Sequence, residues 1–157
     1  MPWRDKTRTG CYDQRMRHAL LLPLALLTAA APADRTMITS PRDARRLAEN
    51  KGVTLQWIDW NTRGSVRVVR GSTWRLTATQ AQAGGSGRLF VDGTVTEIGK
   101  GFFTLRGTIR MTDTPDVGRR CEATKDWHFA ITQNRRYYRL REFEWCDGLT
   151  DYIDIHF

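Results

Sequence analysis

The residues best suited to chemistry gather near the end of the chain. Glu142 stands in an alternating run, and Asp147, Asp151 and Asp154 place three carboxylates close together. Two carboxyl groups roughly 5 to 9.5 Å apart can run glycoside chemistry, and clustered oxygen ligands can hold Ca²⁺. The spacing is not that of an EF-hand loop, and Asp154 falls inside a strand pattern. Asp147-Gly148 therefore reads as a turn, and no metal is expected. Serine chemistry finds no template. Arg88 stands where glycine should complete a nucleophile elbow after Gly84-Gly-Ser86-Gly87. Ser40, Ser65 and Ser72 sit at a helix cap or at turns. No phosphate loop appears. No catalytic residue is assigned, and no cofactor is expected.

Thiol chemistry depends on the compartment. Arg15, Arg17 and His18 precede a short apolar run, Ala19 to Leu27, and Ala31-Pro32-Ala33 supplies a small-x-small cleavage site. Residues 1–33 therefore read as a leader and signal peptide, with translation expected to begin at Met16. The working protein is expected to start near Asp34, in the periplasm or outside the cell. The run is too short for a membrane helix, and no cysteine at the cleavage point offers a lipid anchor. Cys11 leaves with the leader. Cys121 and Cys146 remain, without a CxxC partner, and His128 and His156 have no ligand spacing. In an exported chain this pair is expected to be a disulfide. Closing a loop of about 25 residues is worth roughly 3–4 kcal/mol.

The net charge of +8 is partly the leader's, which holds Arg4, Lys6, Arg8, Arg15 and Arg17 against Asp5 and Asp13. Beyond it the arginines are scattered, with acids between them, so no nucleic-acid groove is read from the sequence.

The elements that must position these residues are mainly strands. Ser40-Pro41-Arg42-Asp43 starts a helix of about ten residues, with Gly52 as its stop signal. Residues 34–52 read as a linker with this short N-terminal helix. Residues 53–157 read as a single β domain. Its period is two, in strands at Val53–Trp60, Ser65–Arg70, Thr73–Gln80, Arg88–Ile98, Phe102–Thr112, Trp127–Gln133, Arg136–Trp145 and Asp151–Phe157. Short strands joined by tight turns imply an antiparallel meander, and about eight of them predict a small closed or nearly closed β-barrel.

Register can be argued for two hairpins. A three-residue loop Gly99-Lys100-Gly101 places Val95 opposite Leu105, Val91 opposite Ile109 and Gly93 opposite Gly107, which makes one face uniformly apolar. A turn at Asn134-Arg135 places Ile131 opposite Tyr138 and Phe129 opposite Leu140, and brings Ala123 opposite Cys146. The same register sets Glu142 inward, opposite Trp127, where it could act as a general acid. A bulge after Leu140 would instead turn Glu142 outward and Phe143 and Trp145 inward. Trp57, Trp74, Trp127 and Tyr138, with Glu142, could wall a ligand pocket; alternatively the aromatics fill the core.

The closing segment Cys146-Asp-Gly-Leu-Thr-Asp-Tyr-Ile-Asp-Ile-His-Phe157 resembles the ending of a family of small uncharacterised exported bacterial proteins. The likeness extends back to about Val53 and includes Thr112-Asp-Thr-Pro-Asp116, Gly118-Arg119 and Cys121. It implies no activity.

The sequence thus favours an exported, non-catalytic barrel that binds a small ligand or a cell-envelope partner, with neither nucleic acid nor a stable membrane span. One alternative is a small exported hydrolase using a carboxylate. Another is a small outer-membrane barrel, suggested by Ile153, Ile155 and Phe157 alternating at the end.

Overall fold

The structure is a computed structural model that describes residues 35–157. The leader and signal peptide read at residues 1–33 lie outside the described residues.

Helix α1 spans Pro41–Ala48. Ser40 caps it: the Asp43 N–H donates to Ser40 Oγ (3.3 Å), and Ser40 Oγ donates to Asp43 Oδ2 (2.6 Å). The helix has eight residues rather than ten, because the chain leaves helical geometry at Glu49. Ala44 and Leu47 pack into the core.

Nine strands follow the chain among the described residues: β1 Met37–Ile38, β2 Val53–Leu55, β3 Ser65–Val69, β4 Trp74–Ala81, β5 Arg88–Gly99, β6 Phe102–Thr112, β7 Arg120–Ala130, β8 Tyr137–Leu140 and β9 Ile153–His156. The sheet order is β2-β9-β8-β7-β6-β5-β4-β3. These eight strands form the nearly closed antiparallel barrel that the two-residue period predicts. The unforeseen strand is β1, which pairs parallel to β5 at Glu97 and Ile98, beyond the end of β4.

The end strands β2 and β3 are joined by a single bridge. The Val53 N–H donates to Gly64 O (3.1 Å) and the Gly64 N–H to Val53 O (2.8 Å). Gln80 on β4 completes the seam. Its Oε1 accepts the Leu55 N–H (2.6 Å), and its Nε2 donates to Asp59 O (3.0 Å) and Thr62 O (2.8 Å). These bonds explain why Gln80 is buried, since a lone buried amide would cost several kcal/mol.

The predicted pairs Val95–Leu105, Val91–Ile109 and Gly93–Gly107 are all present, and Leu89 faces Met111 in the same ladder. The loop differs from the three-residue one expected. Gly99 pairs with Phe102, leaving Lys100-Gly101 as the turn, and a bulge between Val95 and Glu97 restores the register. Gly101, at φ +78, takes the left-handed place. A bulge at this position re-aims the strand end without moving the apolar face.

β2, β8 and β9 are shorter than the alternation suggested, whereas β7 begins at Arg120 and ends at Ala130 instead of spanning Trp127–Gln133. The first predicted strand ends at Leu55 rather than Trp60. Phe129 does face Leu140, but pairing stops at Ala130–Arg139, and the Ile131 N–H donates to Gly101 O instead of entering the hairpin. Gln133 and Asn134, both at positive φ, make the turn, one residue earlier than expected. β8 ends at Leu140, so no ladder places Ala123 opposite Cys146.

The interior is apolar. Leu76, Val91, Leu105, Ile109, Trp127 and Phe129 lie within it, and Phe103 stacks on Phe129 at 4.8 Å. The outer face is charged, with Arg75 on Asp92 (3.0 Å), Arg106 on Asp126 (2.8 Å) and Arg110 on Glu122 (3.6 Å). Membrane barrels have the opposite polarity, apolar outside, so these charge pairs do not favour the outer-membrane alternative.

Gly93 and Gly107 face each other across the β5–β6 ladder. A Cβ on Gly107 would lie 2.1 Å from Asp92 O and 2.5 Å from the Gly93 Cα. The Trp127 indole N–H also donates to Gly107 O (2.8 Å). Gly107→Ala is therefore expected to lower stability by about 2–3 kcal/mol, read as a lower urea midpoint with an unchanged slope. A loss below about 0.5 kcal/mol would show that the strands can part here freely.

Candidate functional site

The residues proposed as a pocket wall do not share one opening. Trp127 and Tyr138 are fully buried, and Trp74 is nearly so. The Trp74 backbone N–H is held by Thr36 Oγ1 (2.7 Å). Trp57 is half-buried on the turn after β2 and donates from Nε1 to Asp151 Oδ1 (3.0 Å). Glu142 follows the end of β8, half-buried, and both its oxygens accept the His128 backbone N–H (3.1 and 3.3 Å). The break after Leu140 lets Trp145 pack edge-on against Trp127 at 5.1 Å. Trp145 thus packs inward as the bulge alternative has it, whereas Phe143 packs on Tyr152 (5.4 Å) outside the core cluster.

At the end of the barrel where β6 leaves and β7 begins, the expected disulfide joins Cys121 to Cys146, with Cα atoms 5.8 Å apart. Beside it Arg119 is almost buried. Its guanidinium donates to both oxygens of Asp147 (2.7 and 2.8 Å), to both of Asp151 (2.9 and 3.0 Å) and to Thr114 O (3.0 Å). Asp147 above all, then Asp151, raises the Arg119 pKa further. The guanidinium in turn holds the Asp147 carboxyl well below the usual aspartate range. Asp154, the third carboxylate, is buried under Arg139 through two bonds of 2.7 Å. These acids are thus committed to guanidinium groups, and neither a cation cage nor a free acid–base pair is built from them.

The opposite end carries a different chemistry. The Lys100-Gly101 turn, the loop between β7 and β8, and α1 meet there around a cleft of about 1090 Å³. Arg42, Arg46, Lys51, Lys100, Arg135 and Arg136 line it, with Ser40, Ile131 and the Phe157 ring. A second cleft of about 660 Å³ adds Arg63, Tyr137 and His156, and shares Lys51, Arg135, Arg136 and Phe157 with the first. Arg46 lies over the Phe157 ring at 4.5 Å and pairs with Asp43 (3.1 Å). Among the described residues, Arg42, Lys51, Arg63, Lys100, Arg135 and Arg136 form no ion pair with a carboxylate.

Two acids border the first cleft. Glu49 is exposed, and Asp43 is buried below the surface. Burial opposes the Asp43 charge, but hydrogen bonds from Ser40, Tyr138 and Arg46 outweigh it, and the carboxyl stays below the ordinary aspartate value of 3.8. The Tyr138 hydroxyl, donating to Asp43 Oδ1 (2.7 Å), is pushed up by burial and by that carboxylate. Burial, and then Arg63, lowers the His156 pKa below 6.5. His156 therefore stands neutral at pH 7 among the cations, its Nε2 2.8 Å from Thr54 Oγ1.

The sequence reading missed this cluster, because its members are spread from residue 42 to residue 136. One signal was present. In a meander the β5–β6 and β7–β8 turns fall at the same end, and those turns carry Lys100, Arg135 and Arg136.

Fold and site together define a disulfide-tied antiparallel barrel, plugged by a helix and basic at one end. The family model described as the PM1083 family matches residues 35–157, and the chain belongs to that family. The chain is 30% identical over 154 residues to the "Uncharacterized protein PM1083" of Pasteurella multocida (strain Pm70), covering 93% of this chain and 97% of that relative. No solved structure matches. The relative's printed name assigns no activity, so no residue role transfers from it.

Two outcomes are expected. Arg119→Ala leaves Asp151 buried without its cation and should cost about 3–5 kcal/mol, read from thermal unfolding; a loss below about 1 kcal/mol would make the pair energetically idle. Stability should also fall with acid in two stages. His156 binds protons more readily unfolded, so its contribution declines as pH drops through about 6.5. Asp43 and Asp147 are depressed in the fold, so theirs is complete above 3.8 and lost as pH falls toward their lower folded values. A stability that rises on acidification from pH 7 to 5 would contradict the His156 assignment.

Proposed function

We propose that the protein is an exported, non-catalytic binding barrel that holds an anionic ligand or the anionic face of an envelope partner at its basic end. The observation that carries this reading is the set of six cations, without carboxylate partners among the described residues, around two connected clefts. Like charges repel, and gathering them costs stability unless a counter-charge arrives. Arginine supplies planar, two-pronged donors suited to phosphate and carboxylate oxygens. The Cys121–Cys146 bond and the signal-like residues 16–33 support the export half of the proposal. The paired carboxylates at the other end do not favour a hydrolase.

The test is retention on a phosphate-bearing resin. The double variant Arg135→Glu/Arg136→Glu should elute at clearly lower salt than the native protein, since charge contacts weaken with ionic strength. Both side chains are exposed, so the unfolding midpoint should change little. Arg67→Glu/Arg120→Glu, an equal charge change on exposed residues outside the clefts, should elute close to the native position. Equal losses in both pairs would mean that only net charge matters, and the proposal would fall.

A further inference from the structure

We infer that the basic end takes a ligand carrying two phosphate-like groups on one spacer, one group in each cleft. This rests on the anion-binding reading above and specifies its ligand. The clefts adjoin, but each has cations of its own: Arg42, Arg46 and Lys100 line only the first, and Arg63 only the second. Lys51, Arg135 and Arg136 line both. A single phosphate reaches one hollow and the shared cations. It leaves the set that lines only the other cleft, Arg63 in the case of the second, without a counter-charge. A second anionic group on the same molecule meets that set.

Beside the shared cations, the intervening surface offers apolar contacts to a spacer. Phe157 lines both clefts, and Ile131 lines the first. The second cleft adds the Tyr137 ring, which sits edge-on to His156 at 5.4 Å. The groups facing this region from every packed element are those same cations, the exposed Glu49, the buried Asp43 and the neutral His156. Glu49 is the one exposed acid on the rim, and it lies on the first cleft alone.

Two sources share this chemistry: a soluble bis-phosphate, or a lipid headgroup with two phosphates. The experiment uses the protein recovered from expression of the full chain, with the disulfide intact. Calorimetry at low salt compares an alkyl monophosphate with alkane-diol bisphosphates of increasing chain length. Vesicle sedimentation compares cardiolipin with phosphatidylglycerol at equal phosphate content. The best bisphosphate should bind at least about 100-fold more tightly than the monophosphate, as tethering predicts, with an optimum in spacer length. Arg63→Ala and Lys100→Ala should each reduce that ratio by about tenfold or more. Arg110→Ala, on the barrel wall against Glu122, should leave it unchanged.

Tighter binding to cardiolipin than to phosphatidylglycerol, with weak binding of every soluble bisphosphate, would assign the two phosphates to a lipid. Equal affinity for mono- and bisphosphates, in solution and on vesicles, would overturn the two-cleft inference and leave the anion-binding reading standing. No binding of any phosphate probe at low salt would overturn both.

Discussion

The barrel depends on closing its sheet where the ladder is too short to close it. β2 has three residues and reaches β3 through the single bridge Val53–Gly64. An open seam there would expose backbone donors and the apolar interior together. Gln80 prevents this by reaching across from β4 to one backbone N–H and two carbonyls. The requirement also explains Gly64: a Cβ there would lie 2.0 Å from Thr79 O. Once the seam is shut, most of the inward-facing apolar side chains are withdrawn from water. Burial of that face then supplies the main driving force for the fold.

Closure leaves two open ends, which are treated in opposite ways. At one, Arg119 is saturated by Asp147, Asp151 and Thr114, and the disulfide fixes the same segment. Buried charges are tolerable only when paired and hydrogen-bonded in this manner. At the other, α1 plugs the barrel through Leu47 and through Asp43 against Tyr138. Around that plug, six cations of the rim form no ion pair among the described residues. The first end is built for rigidity, and the second stores electrostatic potential directed at solvent. This contrast, rather than any cavity among the aromatics, directs the functional reading to the basic rim.

The sequence by itself determined a good deal. Alternation marked the mainly β barrel, because one face of each strand must be apolar when a core is closed. A uniformly apolar face pinned the register of the long hairpin and so set Gly93 against Gly107, since a one-residue slip would turn every apolar side chain outward. The Ser40-Pro41-Asp43 cap marked α1, and the isolated pair Cys121 and Cys146 marked the disulfide, although the ladder invoked to bring them together is absent.

Only the tertiary structure decided the rest. Alternation continues past Leu140, but packing Trp145 against Trp127 needs a break there, and local pattern has no means of expressing that competition. β1 pairs by filling space beyond β4, not by its own propensity. The acids of the closing segment look like ligands in sequence because their partners, Arg119 and Arg139, are distant or sit on other strands. The cations of the rim look like scattered surface charge for the same reason. A charge acts through space, and its neighbours are set by the closed barrel and its plug, not by its place along the chain.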